Sequence, residues 1–372
     1  MIKITENLEQ YFEEVETIED YHGYFYSLTE TITITILGTF CGLKNIKQIQ
    51  KWATDERTRG FLEEYCGIRE IPCYSWFTQI LGKINPQSFN ECFIKWSLSL
   101  VEGRAENGTI SFDGKSIRST GKMQKYARPL HIVSGHLAEL GITLGQNTVS
   151  DKSNEIPAVR ELIELLDVKG CLIVADALNC QTQTAKVIIE NGGDYLLSVK
   201  DNQSELKAEI ADYINDKTLR KTMDKSTQRE KNRERTEVRT AYVTDDINWL
   251  FSKEKWENLA CIGAINTQFE TKKGKKNEWH YFISSRNLSA KELLTHARLE
   301  WSVETMHWLL DVHFGEDFCR VAEQRTQESL NIIRKTVLNL IRDYKNRQSV
   351  KTPFSGLMFD CLLNPVNIIK LL

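Results

Sequence analysis

The stretch Leu172-Ile-Val-Ala-Asp-Ala-Leu-Asn-Cys-Gln181 (LIVADALNCQ) decides how this chain is read. Three apolar residues, Leu172, Ile173 and Val174, run through Ala175 into Asp176. A short apolar run bounded by polar residues reads as a buried strand. A carboxylate therefore sits where a buried strand ends. It could cap the helix expected over about 181–190. It could instead be a metal ligand, which requires partner acids elsewhere.

Working outward, Thr109–Phe112 reads as a second such strand, and it ends at Asp113. Leu130–Ser134 and Ile142–Val149 read as two more strands, with Gly135 and Gly141 near the turn. An amphipathic helix over Asn154–Leu166, with Pro157 in its first turn, precedes the 171–175 strand. Tyr195–Val199 follows as a further strand. Three strands, helix, strand, helix, strand suits an antiparallel meander continued by parallel βαβ units. The expected fold class is α/β, with a ribonuclease H-like mixed-sheet catalytic core.

That core is expected over 101–346, with a β-rich insertion at 205–285. Within the insertion Val238–Val243, Leu259–Phe269 and Trp279–Ser284 alternate like strands. Lys217–Arg239 carries nine basic residues against four acids, which suits a DNA contact or an exposed helix. Residues 1–100 read as a helical N-terminal domain for DNA-end binding or dimerisation. There TITITIL (31–37) alternates like a strand, but its helical surroundings favour a buried helix. Helices are also expected from about Ala290, broken near Trp301, and over Thr326–Lys345, with a C-terminal tail at 347–372.

The 372 residues carry a formal net charge of −3, so any nucleic-acid surface must be local. The nine cysteines form no CxxC pair and lie among apolar residues, as reduced core thiols do. The acidic start lacks an apolar signal region, and no run approaches the roughly 18 apolar residues of a membrane span. A cytoplasmic protein is expected.

Carboxylates ending neighbouring strands can face one point, and hard cations such as Mg²⁺ favour such oxygen ligands. Asp113 and Asp176 form such a pair, although Asp-Gly is also a common turn dipeptide. For a third acid, ARLEWSVETMHWLLDVHFGED offers Glu300, Glu304, Asp311, Glu316 and Asp317. Glu304, His307 and Asp311 share one helix face, while Trp301, Trp308 and Leu309 are expected against the sheet.

The chain resembles the DDE transposases of bacterial insertion sequences, specifically the H-repeat-associated proteins. FDGKSIR (112–118), HIVSGH (131–136), LGQNTVSDKSNEIPA (144–158), VADALNCQ (174–181), GGDYLLSVKDNQ (192–203) and WSVETMHWLLDVHFGEDFCR (301–320) carry the resemblance. It implies that Asp113, Asp176 and Glu304 are the catalytic, metal-holding acids. Their separations are 176 − 113 = 63 and 304 − 176 = 128. It further implies Mg²⁺, with Mn²⁺ able to substitute, and cleavage and joining of double-stranded DNA at element ends and target. A homodimer on DNA is expected, with no covalent intermediate and no organic cofactor. The family reads close to HW-x-IEN here, whereas this chain has Glu300 for the His and Thr305 for the Asn. A metal-dependent nuclease of the same fold, or a transposase-derived DNA-binding protein without catalysis, are the alternatives.

Candidate phosphate contacts are Lys115, Arg118, Lys122, Lys125 and Arg128 after the first acid, and Lys200, Asn202 and Arg298. Arg298 could stand in for an arginine that related transposases carry near the glutamate. Gln203 joins Lys200 and Asn202 as a residue that positions DNA, orients ligands or caps a helix. Trp249, Trp256 and Trp279 could stack on an extruded base or fill the core. His307 is expected to pack beside the site, and Asn154 and Glu155 to start a helix.

Overall fold

Strand β1, Thr109–Ile117, lies inside a nine-stranded sheet and organises the molecule. The structure is a computed structural model that describes residues 6–18, 26–104, 107–118, 129–149, 155–232, 235–271, 274–321 and 323–372. β1 pairs antiparallel with β2 (Leu130–Leu137), which pairs antiparallel with β3 (Ile142–Thr148). On its other side β1 runs parallel to β4 (Leu172–Ala175), and β4 runs parallel to β5 (Asp194–Val199). The expected meander and parallel pair are thus both present.

The 205–285 region holds four strands, one more than its alternation indicated, and two of them are longer than expected. The four are β6 (Asp224–Asn232), β7 (Arg235–Thr244), β8 (Cys261–Thr271) and β9 (Gly274–Ser284). They extend the same sheet, since β9 pairs antiparallel with β5 and the order is β3-β2-β1-β4-β5-β9-β8-β7-β6. Most of Lys217–Arg239 forms the β6–β7 hairpin, which corrects the exposed-helix alternative. Its alternating charges suit a two-sided ribbon as well as a helix, so charge density could not tell them apart.

The TITITIL segment is helical, within Leu28–Phe40. Ser27 caps it, and the hydroxyls of Thr31, Thr35 and Thr39 donate to the carbonyls of Ser27, Thr31 and Thr35. Those bonds let threonine sit buried on one helix face without losing hydrogen bonds, while Ile32, Ile34 and Ile36 fill the core. In chain order the helices through 101 are α1 (Glu6–Phe12), α2 (Leu28–Phe40), α3 (Ile46–Ala53), α4 (Glu56–Phe61), α5 (Tyr74–Lys83) and α6 (Pro86–Val101). Next come α7 (Glu155–Leu165), α8 (Thr182–Glu190), α9 (Ser204–Asn215) and α10 (Lys217–Thr222). The last are α11 (Ala290–Leu299), α12 (Ser302–Phe314), α13 (Gln324–Gln348) and α14 (Phe354–Leu363).

Two large cores result. One joins α1–α6 to α12, α13 and α14 through Phe40, Phe77, Phe93, Leu310, Ile333 and Met358. The other lies under the sheet, where Ile110, Phe112, Ile173 and Ala175 meet Val159, Leu162 and Ile188 of α7 and α8. The N-terminal helices therefore share a core with the helix that carries Glu304. No helix among the described residues is long and apolar enough to cross a membrane.

Candidate active site

In the β1–β4 register Phe112 stands opposite Ala175. Asp113 and Asp176 are each the next residue, so they reach the same level on adjacent parallel strands. Asp176 leaves the strand at φ −66°, ψ 173° and caps the short turn Ala177–Asn179. Its Oδ1 accepts from the Asn179 backbone N–H (3.3 Å) and from Asn179 Nδ2 (3.2 Å). Asp176 is therefore a cap of this short turn and not of the helix Thr182–Glu190, whose N-cap is Gln181, and it stands beside a second acid. Burial raises its pKa against those two bonds, and the nearby charges of Glu155 and Asp113 raise it further.

The odd residues of β1 form a seam with α12. Ser111 Oγ meets Ser302 Oγ at 3.0 Å, and His307 Nδ1 lies 3.4 Å from Asp113 Oδ2. Lys115 Nζ meets Asp311 Oδ1 at 2.5 Å and Glu316 Oε2 at 2.8 Å. Two residues of strand rise about 6.6 Å, and four to five residues of helix rise about 6–7.5 Å. The two ladders therefore stay in step. Glu304 is exposed one turn before His307 on this face. The helix breaks between α11 and α12, as expected near Trp301, and Glu300 sits at that break. Ser198 Oγ donates to Glu300 Oε2 (3.4 Å). Burial, then the Asp176 charge, pushes the Glu300 carboxyl up to about 7.

Carboxylates thus gather around the C-terminal end of β4, a donor set of the hard-oxygen type that Mg²⁺ takes. They stand apart as well: among the described residues no three His, Cys, Asp or Glu side chains form a ready metal shell.

The other candidates are distributed more widely. Lys115 is only 13 % exposed and committed to two carboxylates. Arg118 is exposed, its Nε 3.6 Å from Asp317. Lys122, Lys125, Arg128 and Asn154 lie outside the described residues. Asn202 Nδ2 donates to the Ala177 carbonyl (2.6 Å) and Gln203 Nε2 to the Cys180 carbonyl (2.9 Å), so both brace the turn after Asp176. Lys200 and Arg298 line a groove of about 390 Å³ with Arg239, His280, Glu300 and Trp301. Arg298 also meets Glu230 of β6.

Trp256 is buried, Trp249 stacks on Tyr213 with centroids 4.4 Å apart, and Trp279 packs against Tyr242. The expectation that Trp301 and Trp308 pack on the sheet is corrected, because both are 57 % exposed. Leu309 is buried, but among the helices of the first core. Trp301 meets the sheet only at its surface, over the guanidinium of Arg239 on β7 (5.7 Å). Glu155 begins α7 as expected, yet it also reaches the acid edge. The sequence signal for that was its place in the SDKSNEIPA motif, not its helix position.

The family model described as Transposase DDE domain matches residues 105–340, and DDE_Tnp_1-associated matches 9–97. YbfL of Escherichia coli (strain K12) is 30% identical over 352 residues, covering 91% of this chain and 92% of that protein. The H repeat-associated YhhI of the same strain is 29% identical over the same shares. YncI of Escherichia coli O157:H7 is 31% identical over 86% of this chain and 83% of its own. Among solved structures, a piggyBac transposase synaptic complex with hairpin DNA aligns at TM-score 0.47 and 10% identity, over 95% of this chain and 75% of that one. The family match spans most of the chain and all the acids named above, and the chain belongs to the DDE transposase family.

Proposed function

We propose that this chain is a metal-dependent DNA transposase that cleaves and joins strands at insertion-sequence ends, on a ribonuclease H-like core. The antiparallel β3-β2-β1 meander continued by parallel β4 and β5 supports the fold reading. The observation that carries the activity is the level placement of Asp113 and Asp176 on adjacent strands. Asp176 there is raised by burial and by neighbouring acids. Asp113, Asp176 and Glu304 would hold divalent cations, Mg²⁺ or Mn²⁺. When bound, such ions activate a hydroxyl nucleophile and stabilise the leaving oxygen of a phosphodiester.

The chain's own residues supply position. His307 holds Asp113, the Lys115–Asp311 contact keeps β1 and α12 in step, and Asn202 and Gln203 brace the turn behind Asp176. Arg118, Lys122, Lys125, Lys200 and Arg298 would contact backbone phosphates, and the groove beside Glu300 offers a path for one strand. The paired ends require two copies of the chain on DNA.

The test is cleavage of labelled DNA carrying the gene's own flanking ends, with Mg²⁺, Mn²⁺ or EDTA, by wild type and Asp176→Asn. Metal-dependent cuts at the ends, lost in the variant, are expected. Cuts that ignore the ends would replace the reading with a nuclease. Intact binding without cuts would replace it with a non-catalytic DNA-binding protein.

A further inference from the structure

The motifs HIVSGH and SDKSNEIPA take no part in the site so far, yet they meet directly behind it. β1 presents its odd residues to α12 and its even residues to the opposite face. On that face Glu155, at the start of α7, is only 13 % exposed, and its Oε2 lies 3.1 Å from His131 Nε2. His131 stands opposite Ser116 on β2, and its Nδ1 lies 2.9 Å from Ser116 Oγ. The other oxygen, Glu155 Oε1, accepts from Asn179 Nδ2 at 3.4 Å. The same Asn179 nitrogen donates to Asp176 Oδ1. A continuous chain therefore runs Ser116, His131, Glu155, Asn179, Asp176. It links β1, which carries Asp113, to the turn that carries Asp176.

The approach is close enough to dictate a residue type. A Cβ on Gly114 would lie 2.3 Å from Glu155 Oε2 and 2.4 Å from His131 Nε2. Any side chain there would displace the pair, so the glycine next to Asp113 is what lets it seat against the strand. Asn179 is fully buried, so its amide depends on these few partners for its orientation.

We propose that Glu155 is a positioning residue of the acidic site: through Asn179 it aims the Asp176 carboxylate, and through His131 it fixes the strand bearing Asp113. This rests on the reading of Asp113 and Asp176 as metal-holding acids. It assigns Glu155 a role at the site beyond starting a helix. The role needs a hydrogen-bond acceptor toward Asn179 and a partner for His131, and not a negative charge. A glutamine serves both, with its oxygen toward Asn179 and its amide toward the imidazole, whose tautomer adapts.

The experiment measures Mn²⁺ binding to the full chain by electron paramagnetic resonance, beside DNA cleavage and thermal melting. The variants are Asp176→Asn, Glu155→Gln, Glu155→Ala, Asn179→Ala and the double Glu155→Ala/Asn179→Ala. Glu155→Gln should keep Mn²⁺ affinity and kcat within about threefold of wild type. Glu155→Ala and Asn179→Ala should each weaken Mn²⁺ binding and lower kcat by about tenfold, with KM for DNA unchanged. The double should be no worse than the worse single, because both remove one chain. Glu155→Gln behaving like Asp176→Asn would make Glu155 a direct ligand or base and overturn the proposal. Additive losses in the double, or Glu155→Ala with wild-type Mn²⁺ affinity, would overturn it too. If Glu155→Ala fails to fold, Glu155→Gln and Asn179→Ala decide between the same outcomes. A wild type without Asp176-dependent Mn²⁺ binding would instead overturn the metal reading beneath it, and this inference with it.

Discussion

Asp113 and Lys115 are two residues apart on one strand and point to the same side, yet they enter opposite electrostatic worlds. Beside Asp113 stand Asp176 and, at 3.4 Å, His307; Glu300 lies near Asp176, with Glu304 and Lys200 near Glu300. Around Lys115 charges are matched. Asp311 and Glu316 hold its ammonium, Arg334 stands 3.9 Å from Glu316, and Asn331 Nδ2 donates to Glu316 Oε1 at 2.6 Å. Glu316 is fully buried, and burial alone would raise its pKa; Lys115 first, then Arg334, bring it below the ordinary value. Behind it Lys335 is buried, donating to Ser134 Oγ (2.8 Å) and Gln146 Oε1 (2.7 Å), and burial pushes it down to about 7. The second region is matched in charge within the protein. Among the described residues the first is the poorer in cations, and its oxygens suit the divalent cation proposed above.

The difference predicts opposite responses to removing one acid. Asp176→Asn should lower metal-dependent cleavage at least about a thousandfold, or about 4 kcal/mol of barrier. Its melting temperature should hold or rise, since a repelled carboxylate is gone. Glu316→Gln should do the reverse. It takes Glu316 from buried Arg334 and leaves Lys115 with Asp311 alone, which costs about 3 kcal/mol or more of stability by denaturant unfolding. Loss of stability in Asp176→Asn matching that in Glu316→Gln would erase the contrast.

A smaller effect follows from Glu300. Its carboxyl is pushed up to about 7 from 4.5, so the folded chain binds more protons than the unfolded one between those pH values. Stability contributed by this group therefore falls as pH rises from about 4.5 to 7, and levels off above. Unfolding of Glu300→Gln across pH 4.5–8 should lack that part of the decline. An identical slope in both proteins would deny that burial, then the Asp176 charge, holds the Glu300 carboxyl high. Smallest of all, Arg118→Ala should change stability by less than about 0.5 kcal/mol, because its side chain is 82 % exposed. Weaker DNA binding in that variant, with reduced salt dependence, would mark Arg118 as a phosphate contact.

Much of this was legible in the sequence because it rests on short-range pattern. Apolar runs leading into Asp113 and Asp176 mark neighbouring strands; β4 stops just before Asp176 as expected, whereas β1 continues through Asp113 to Ile117. The isoleucines and threonines of 31–37 were ambiguous, and in the helix the Thr31 and Thr35 hydroxyls each find a carbonyl one turn back. What escaped depends on partners far along the chain. Lys115 looked like a free cation beside an acid, but Glu316 lies 201 residues away in sequence. Glu155 looked like a helix start, and its meeting with His131 and Asn179 follows from packing α7 behind β1. The tryptophans show the same limit. Trp249, Trp256 and Trp279 could stack on a base or fill the core, and Trp256 fills it, whereas Trp301 is the tryptophan exposed beside Glu300.

The most direct measurement is thermal melting against Mg²⁺ at fixed ionic strength and pH 7.5, for wild type and for Asp113→Asn/Asp176→Asn. The wild type should gain stability saturably, by about 2.7 kcal/mol at a hundredfold excess over the dissociation constant. The double variant should start at least as stable and gain nothing. A wild type indifferent to Mg²⁺, or a double variant that gains as much, would contradict the claim that these acids are built to meet a cation.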